Sequence, residues 1–122
     1  MEESILNSIK KLIGGFDSSD SSFDTDLIMA INTVLMTIMQ EWHGMDHAFH
    51  IVDDTAIWSD FLGDDNKADY EAVKTLVYLK VRMLFDPPTN SALIDAINTE
   101  IKDLEWRLYF WKDLERIDER SN

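Results

Sequence analysis

The sequence contains no cysteine, only four glycines and two prolines, and few basic residues for its length. Without cysteine there is no disulfide, no thiolate metal site and no cysteine nucleophile. The scarcity of glycine and proline disfavours a turn-rich sandwich or barrel and favours long helices. No uninterrupted apolar run approaches the roughly 20 residues that span a bilayer, so no membrane segment is predicted.

The basic residues are outnumbered, with 11 lysines and arginines against 24 acidic side chains and a formal net charge of −13. The imbalance is strongest in residues 1–61, which hold 11 acidic and two basic side chains. A field of this sign repels nucleic-acid phosphates and anionic lipid, so tight binding to either is not expected. It also opposes self-association unless the contacting surfaces are locally complementary.

The apolar content is nevertheless sufficient for folding, because 45% of the 122 residues are hydrophobic. A chain of this length can bury one hydrophobic core without the support of disulfides or a structural metal. We therefore predict a single helical domain over residues 1–122. We expect a mobile Ser/Asp-rich loop at 16–22 and a loose C-terminus after about residue 113.

Hydrophobic periodicity predicts an all-α fold, a small bundle of four main helices. The first helix ends at Gly14-Gly15, and Asp24 is expected to cap the second. The third helix ends at Asp86-Pro87-Pro88, and the fourth is capped by one of residues 89–91. A short β-hairpin or irregular insertion is predicted near residues 48–58, followed by a helical turn capped by Ser59.

The second helix has apolar residues around most of its circumference, which predicts either the central helix of the bundle or a helix that meets another subunit. One stripe predicts its core-facing side and consists of Leu27, Ile31, Val34 or Leu35, Ile38 and Trp42. Methionines add apolar surface on other faces, at Met29, Met36, Met39 and Met45. We interpret these methionines as core in preference to an adaptable partner-binding surface.

The fourth helix has a heptad seam formed by Ile94, Ile97, Ile101, Leu104, Leu108 and Trp111. Packing of this seam against the second and third helices of the same chain is favoured over an intermolecular coiled coil. Trp106 falls off the seam, so it either covers a second face of the bundle or anchors a neighbouring chain. Arg82 and Asp86, four residues apart, are interpreted as a helix-end ion pair, with an intersubunit pair as the alternative.

The three histidines His43, His47 and His50 are the weak metal candidates in the sequence. His43 and His47 are four residues apart, a spacing that allows two imidazoles to bind one zinc or nickel ion on a helix. Gly44 between them weakens that geometry, and no fourth ligand is evident. We therefore interpret them as loop histidines and predict no metal, no cofactor and no catalytic residue.

Four stretches of the chain, in order, resemble the small head–tail connector proteins of tailed bacteriophages. They are ILNSIKKLIG (Ile5 to Gly14), FDTDLIMAIN (Phe23 to Asn32), WSDF (Trp58 to Phe61), and YLKVRMLFDPP (Tyr78 to Pro88) with IKDLEWRL (Ile101 to Leu108). The most specific element is LKVRMLFDPP followed about a dozen residues later by DLEWRL. The resemblance covers roughly residues 4 to 110.

This resemblance implies a head-completion adaptor that is not an enzyme. Such a subunit would dock on the portal in a ring of, typically, twelve copies, extend the DNA channel and offer a platform to the next connector or tail-completion protein. DNA would pass through without specific binding. The implied location is the head–tail junction of the virion, after assembly in the host cytoplasm. The residues proposed for assembly contacts are Arg82, Asp86, Trp106, Asp113, Glu115, Arg116 and Arg120.

Two other functions are kept as alternatives. One is an acidic helical partner-binding protein, such as an inhibitor or DNA mimic, that forms a one-to-one complex. The other is a metal-dependent enzyme built on the histidine cluster.

Overall fold

The computed structural model describes residues 3–14, 21–41, 49–62 and 70–121, and in the last helix it describes side chains as far as Leu108. Within these ranges the chain is mainly helical, which confirms the predicted all-α class. Five helices are described: α1 (Ile5–Ile13), α2 (Asp24–Glu41), α3 (Trp58–Leu62), α4 (Tyr70–Phe85) and α5 (Ser91–Ser121). The four long helices correspond to the four main helices of the prediction, and α3 is the short helical turn.

Helix α1 has both of its ends stabilised by hydrogen bonds. The Ser4 hydroxyl accepts from the Asn7 backbone N–H at 3.1 Å, which satisfies one of the free donors at the N-terminus. At the other end Gly14 has φ of 73°, a backbone conformation that glycine adopts without steric cost. Its N–H donates to the Lys10 carbonyl at 3.0 Å. The predicted stop at this glycine is confirmed.

The start of α2 differs from the prediction that Asp24 caps it. The Phe23 carbonyl accepts the first helical hydrogen bond, from the Leu27 N–H at 2.9 Å, so Phe23 occupies the capping position and Asp24 begins the helix. The Asp24 carboxylate accepts instead from the Lys10 ammonium at 2.8 Å. Because Lys10 is only 2% exposed, this ion pair satisfies a buried charge and ties α1 to α2.

The predicted cap of α3 at Ser59 is wrong, because Ser59 lies inside the helix. Ile57 is the capping residue: its carbonyl accepts from the Asp60 N–H, and its own N–H donates to the Asp60 carboxylate, both at 3.0 Å. The Asp60 carboxylate thus makes one of the two bonds of a capping box, and the other is absent because isoleucine has no side-chain acceptor. The indole N–H of Trp58 donates to the Ser8 hydroxyl at 2.9 Å and so joins α3 to α1.

Residues 49–57 form an irregular connection, which is the second of the two alternatives predicted for this region. Its described pairing is a single antiparallel bridge between Ser4 and Ile57, beside a hydrogen bond from the Ile5 N–H to the Ala56 carbonyl. Asn32 of α2 holds the connection by two hydrogen bonds, accepting from the Ile51 N–H at 2.8 Å and donating to the Ile51 carbonyl at 2.9 Å. These bonds replace the strand pairing that a hairpin would have supplied.

The turn between α4 and α5 has the predicted structure. Helix α4 ends at Phe85, directly before Asp86-Pro87-Pro88. Asn90 is the cap of α5, because its side-chain oxygen accepts from the backbone N–H groups of Ala92 at 2.8 Å and Leu93 at 3.2 Å.

Helix α4 lies at the centre of the bundle and packs against α1, α2 and α5. The core-facing stripe predicted for α2 is confirmed from Leu27 to Ile38, and Trp42 lies outside the described residues. The seam of α5 packs within the chain against α4, as predicted, with Ile97, Leu104 and Leu108 buried and Ile101 half-buried. Trp111 is not among the described side chains. The predicted loop at 16–22 also lies largely outside the described residues.

Candidate interaction surface

The outer face of α2 carries no charged side chain over most of its length. The fourteen residues from Leu27 to Gln40 contain no acidic or basic residue, in a chain of which 29% is charged. Met29 is 65% exposed and Met36 is 50% exposed, so the prediction that these methionines belong to the core is wrong for both. Met39 is half-buried against the core, and Met45 lies outside the described residues. Met29, Thr33, Met36 and Gln40 are exposed on this side, and we call them the outer face of α2.

The threonines of α2 make this side less polar than their composition suggests. The Thr33 hydroxyl donates to the Met29 carbonyl at 2.9 Å, and the Thr37 hydroxyl donates to the Thr33 carbonyl at 3.0 Å. Each hydroxyl is thereby bonded to its own helix one turn earlier. The side that α2 turns away from the core is therefore dominated by methyl and thioether groups.

A groove continues this surface across α4 to α5. It encloses about 400 Å³ and is lined by Thr33, Val34, Thr37, Lys80, Met83, Leu84, Ile101 and Glu105. Among the described lining residues Glu105 is the single acid, and its carboxylate accepts from the Lys80 ammonium at 2.8 Å. The wall of the groove therefore carries no net charge. The groove therefore suits an apolar occupant better than a charged one.

Trp106 lies on the side of α5 that faces away from the core. It is two residues beyond the buried Leu104, which turns its side chain about 200° around the helix. The side chain is 64% exposed. Both alternatives for Trp106, covering a second face of the bundle and anchoring a neighbouring chain, stay predictions.

Arg82 and Asp86 lie at the C-terminal end of α4, where Arg82 is half-buried and Asp86 is exposed. Their backbones are joined by a hydrogen bond from the Asp86 N–H to the Arg82 carbonyl at 2.9 Å. The ion pairs of the described residues do not include one between these two side chains, so the predicted helix-end pair is not formed.

The remaining predicted residues lie partly beyond the described side chains. Helix α5 extends to Ser121 and so includes Asp113, Glu115, Arg116 and Arg120, whose side chains lie outside the description. His43 and His47 lie outside the described residues altogether. His50 is exposed on the irregular connection. Nearby, hydrogen bonds from the Thr55 hydroxyl and then the Thr55 N–H lower the pKa of the exposed Asp53.

The groove was not predicted from the sequence, although part of its signal was present. The apolar character of α2 around most of its circumference predicted either the central helix of the bundle or a helix that meets another subunit, and it did not show where on the molecule such a contact would lie. The contributions of Lys80, Met83 and Leu84 depend on how α4 packs between α2 and α5. No local pattern in the sequence gives that packing.

The family model described as "Phage connector protein" matches residues 5–115, which is most of the chain. The chain therefore belongs to the phage connector protein family and has a structural role in the phage particle. Neither a search of curated proteins nor a search of solved structures gave a match. Within the described residues, no helix has the length and apolar character that crossing a membrane requires.

Proposed function

We propose that this chain is a head–tail connector subunit that docks on the phage portal as one member of a ring. The ring extends the channel through which DNA passes and offers its far side to the next connector or tail-completion protein. The chain acts as a single domain and carries out no reaction. The observation that supports this proposal most directly is the family match over residues 5–115.

The charge of the chain fits a subunit that assembles on a template. At −13 per chain, free copies repel each other at moderate salt, so closure of a ring requires local contacts that avoid acidic side chains or neutralisation by the portal. A negative wall also repels DNA phosphates, and this repulsion favours passage over adhesion. Ring formation by the isolated protein at low salt would contradict this electrostatic argument.

The contact surface supports the same function. The outer face of α2 and the adjoining groove provide uncharged, apolar area where two acidic proteins can meet with little repulsion. Methionine side chains adapt to the shape of a partner, which suits a subunit that contacts more than one protein. A one-to-one inhibitor or DNA mimic would instead be expected to present its acidic groups at the contact.

Arg82 provides a test of this proposal in the phage. We expect Arg82→Glu to leave the isolated chain folded, since the side chain is half-buried and the described residues hold it in no ion pair with Asp86. The variant should be incorporated into particles less than the wild type. The measurement is the amount of the chain in purified particles from a phage that lacks the gene and is complemented by each variant.

Lys74→Glu is the matched control, because it makes the same change in net charge on the same helix. Lys74 is paired with Glu71 at 3.6 Å and lies two turns before Arg82. If both variants are incorporated into particles as well as the wild type, Arg82 makes no assembly contact. Infectious, DNA-retaining particles without the chain would contradict the proposed function itself.

A further inference from the structure

The uncharged groove and Trp106 lie on different sides of one subunit. The groove is formed by α2, α4 and α5, and Trp106 lies about 100° around α5 from the groove residue Glu105 and about 140° from Ile101. A contact between two different surfaces of identical chains is heterologous, and such contacts produce closed rings when the rotation between neighbours allows it. The positions of these two features therefore match what a ring of identical copies requires.

We propose that Trp106 of one copy docks in the groove of the next copy, and that this contact joins neighbours in the ring. The proposal deepens the proposed function and rests on it, because it names the contact between copies of the proposed ring. The occupant of the groove is thus a second copy of this chain.

The size and polarity of the groove fit an indole. Pockets of about 300–1,000 Å³ hold small organic ligands, and the groove encloses about 400 Å³. Tryptophan offers a large apolar area on few rotatable bonds and is enriched among the residues that dominate binding at interfaces. Met83 and Leu84 lie at the groove and can adjust around an aromatic ring.

Charge complementarity favours a second copy of this chain. Helix α2 bears Asp24 and Asp26 in its first turn, and no basic residue. Lys102 lies one turn before Trp106 on the same side of α5, and Arg107 follows Trp106 directly with a 3.0 Å pair to Asp103. Asp24 is already paired with Lys10, and Arg107 with Asp103. The complementary charges are therefore Lys102 in one copy and Asp26 in the neighbour, which lies two turns before the groove residue Thr33 on α2.

Both surfaces also avoid the repulsion that the rest of the chain creates. In the groove, Glu105 is paired with Lys80. Beside Trp106, on the exposed side of α5, Asp103 is paired with Arg107. Residues 1–61 contain 11 acidic and two basic side chains. Contacts between two copies through other surfaces of this region would therefore bring acidic side chains together. Two copies meeting through Trp106 and the groove bury apolar area without bringing uncompensated acids together.

The absence of cysteine from the chain permits a direct cross-linking test. One chain carries Thr99→Cys, two turns before Trp106 on the same exposed side, and a second chain carries Thr37→Cys in the groove. The two are mixed with a short bismaleimide at about 0.5 M NaCl, where screening acts within about 4 Å and the repulsion between copies is suppressed. The heterodimer is measured by denaturing gel electrophoresis.

The control replaces the groove cysteine by one at Val52, which is 71% exposed on the irregular connection. We expect the Thr99→Cys and Thr37→Cys chains to give about tenfold more heterodimer than the Thr99→Cys and Val52→Cys chains. Adding Trp106→Ala to the Thr99→Cys chain should lower the product at least about tenfold, as loss of a dominant interface residue does. Circular dichroism checks that this variant is folded.

The outcomes separate this contact from the proposed function. Cross-linking at the groove that does not exceed the Val52 control, or that persists in Trp106→Ala, overturns the contact. A ring present in phage particles whose copies are not cross-linked by the same cysteine pair also overturns the contact and leaves the proposed function standing. Trp106-dependent cross-linking by a chain absent from the head–tail junction supports the contact and overturns the proposed function.

Discussion

The two sides of α2 are both apolar but differ in burial. The inner side contains Leu27, Ile31 and Leu35, all fully buried. The outer side is also apolar, yet Met29 and Met36 are at least half exposed. A helix normally places its charged residues on the side facing water. The contact proposed for the outer side of α2 would account for its lack of charge.

Adjacent residues on the two sides give the largest contrast. Leu35→Ala should lower the free energy of unfolding by about 2–5 kcal/mol, because it leaves a cavity at a fully buried position. Met36→Ala should change it by less than about 0.5 kcal/mol, as exposed substitutions usually do. Urea denaturation of both variants measures the difference. A similar loss of unfolding free energy in the two variants would show that Met36 belongs to the core. The contrast between the two sides of α2 would then be wrong.

A second adjacent pair tests how α2 holds the irregular connection. Asn32→Ala removes two hydrogen bonds and leaves the N–H and carbonyl of Ile51 without these partners, so we expect a loss of about 1–3 kcal/mol in the free energy of unfolding. Thr33→Ala, on the outer face, should have a much smaller effect, since its hydroxyl bonds only within its own helix. The measurement is again urea denaturation.

Hydrogen exchange distinguishes the cause of the Asn32 effect. Faster exchange confined to residues 49–57 in Asn32→Ala is the expected result, because the lost bonds anchor that segment. Exchange that accelerates equally throughout α2 would show that Asn32 acts on the helix and not on the connection.

The sequence was a good guide to features set by local chemistry. Gly14 and the pair Pro87-Pro88 end helices through backbone geometry that neighbours do not alter, and the heptad seam of α5 packs within the chain as its spacing indicates. The cap of α5 at Asn90 was one of the three predicted candidates. Each of these features follows from a few adjacent residues.

The features that the sequence missed depend on contacts between distant segments. Asp24 was assigned to a cap, but Lys10, fourteen residues earlier, binds its carboxylate. Met29 and Met36 resemble core residues by composition, and only the placement of α4 and α5 shows that they are exposed. The groove requires three helices to be in position, so periodicity within one helix cannot reveal it.

The most direct test of the account is electron cryomicroscopy of the neck of purified phage particles. The account predicts a closed ring of copies of this chain at the head–tail junction, in contact with the portal, with the outer face of α2 covered. Finding the chain elsewhere in the particle, or bound singly to one partner, would contradict it.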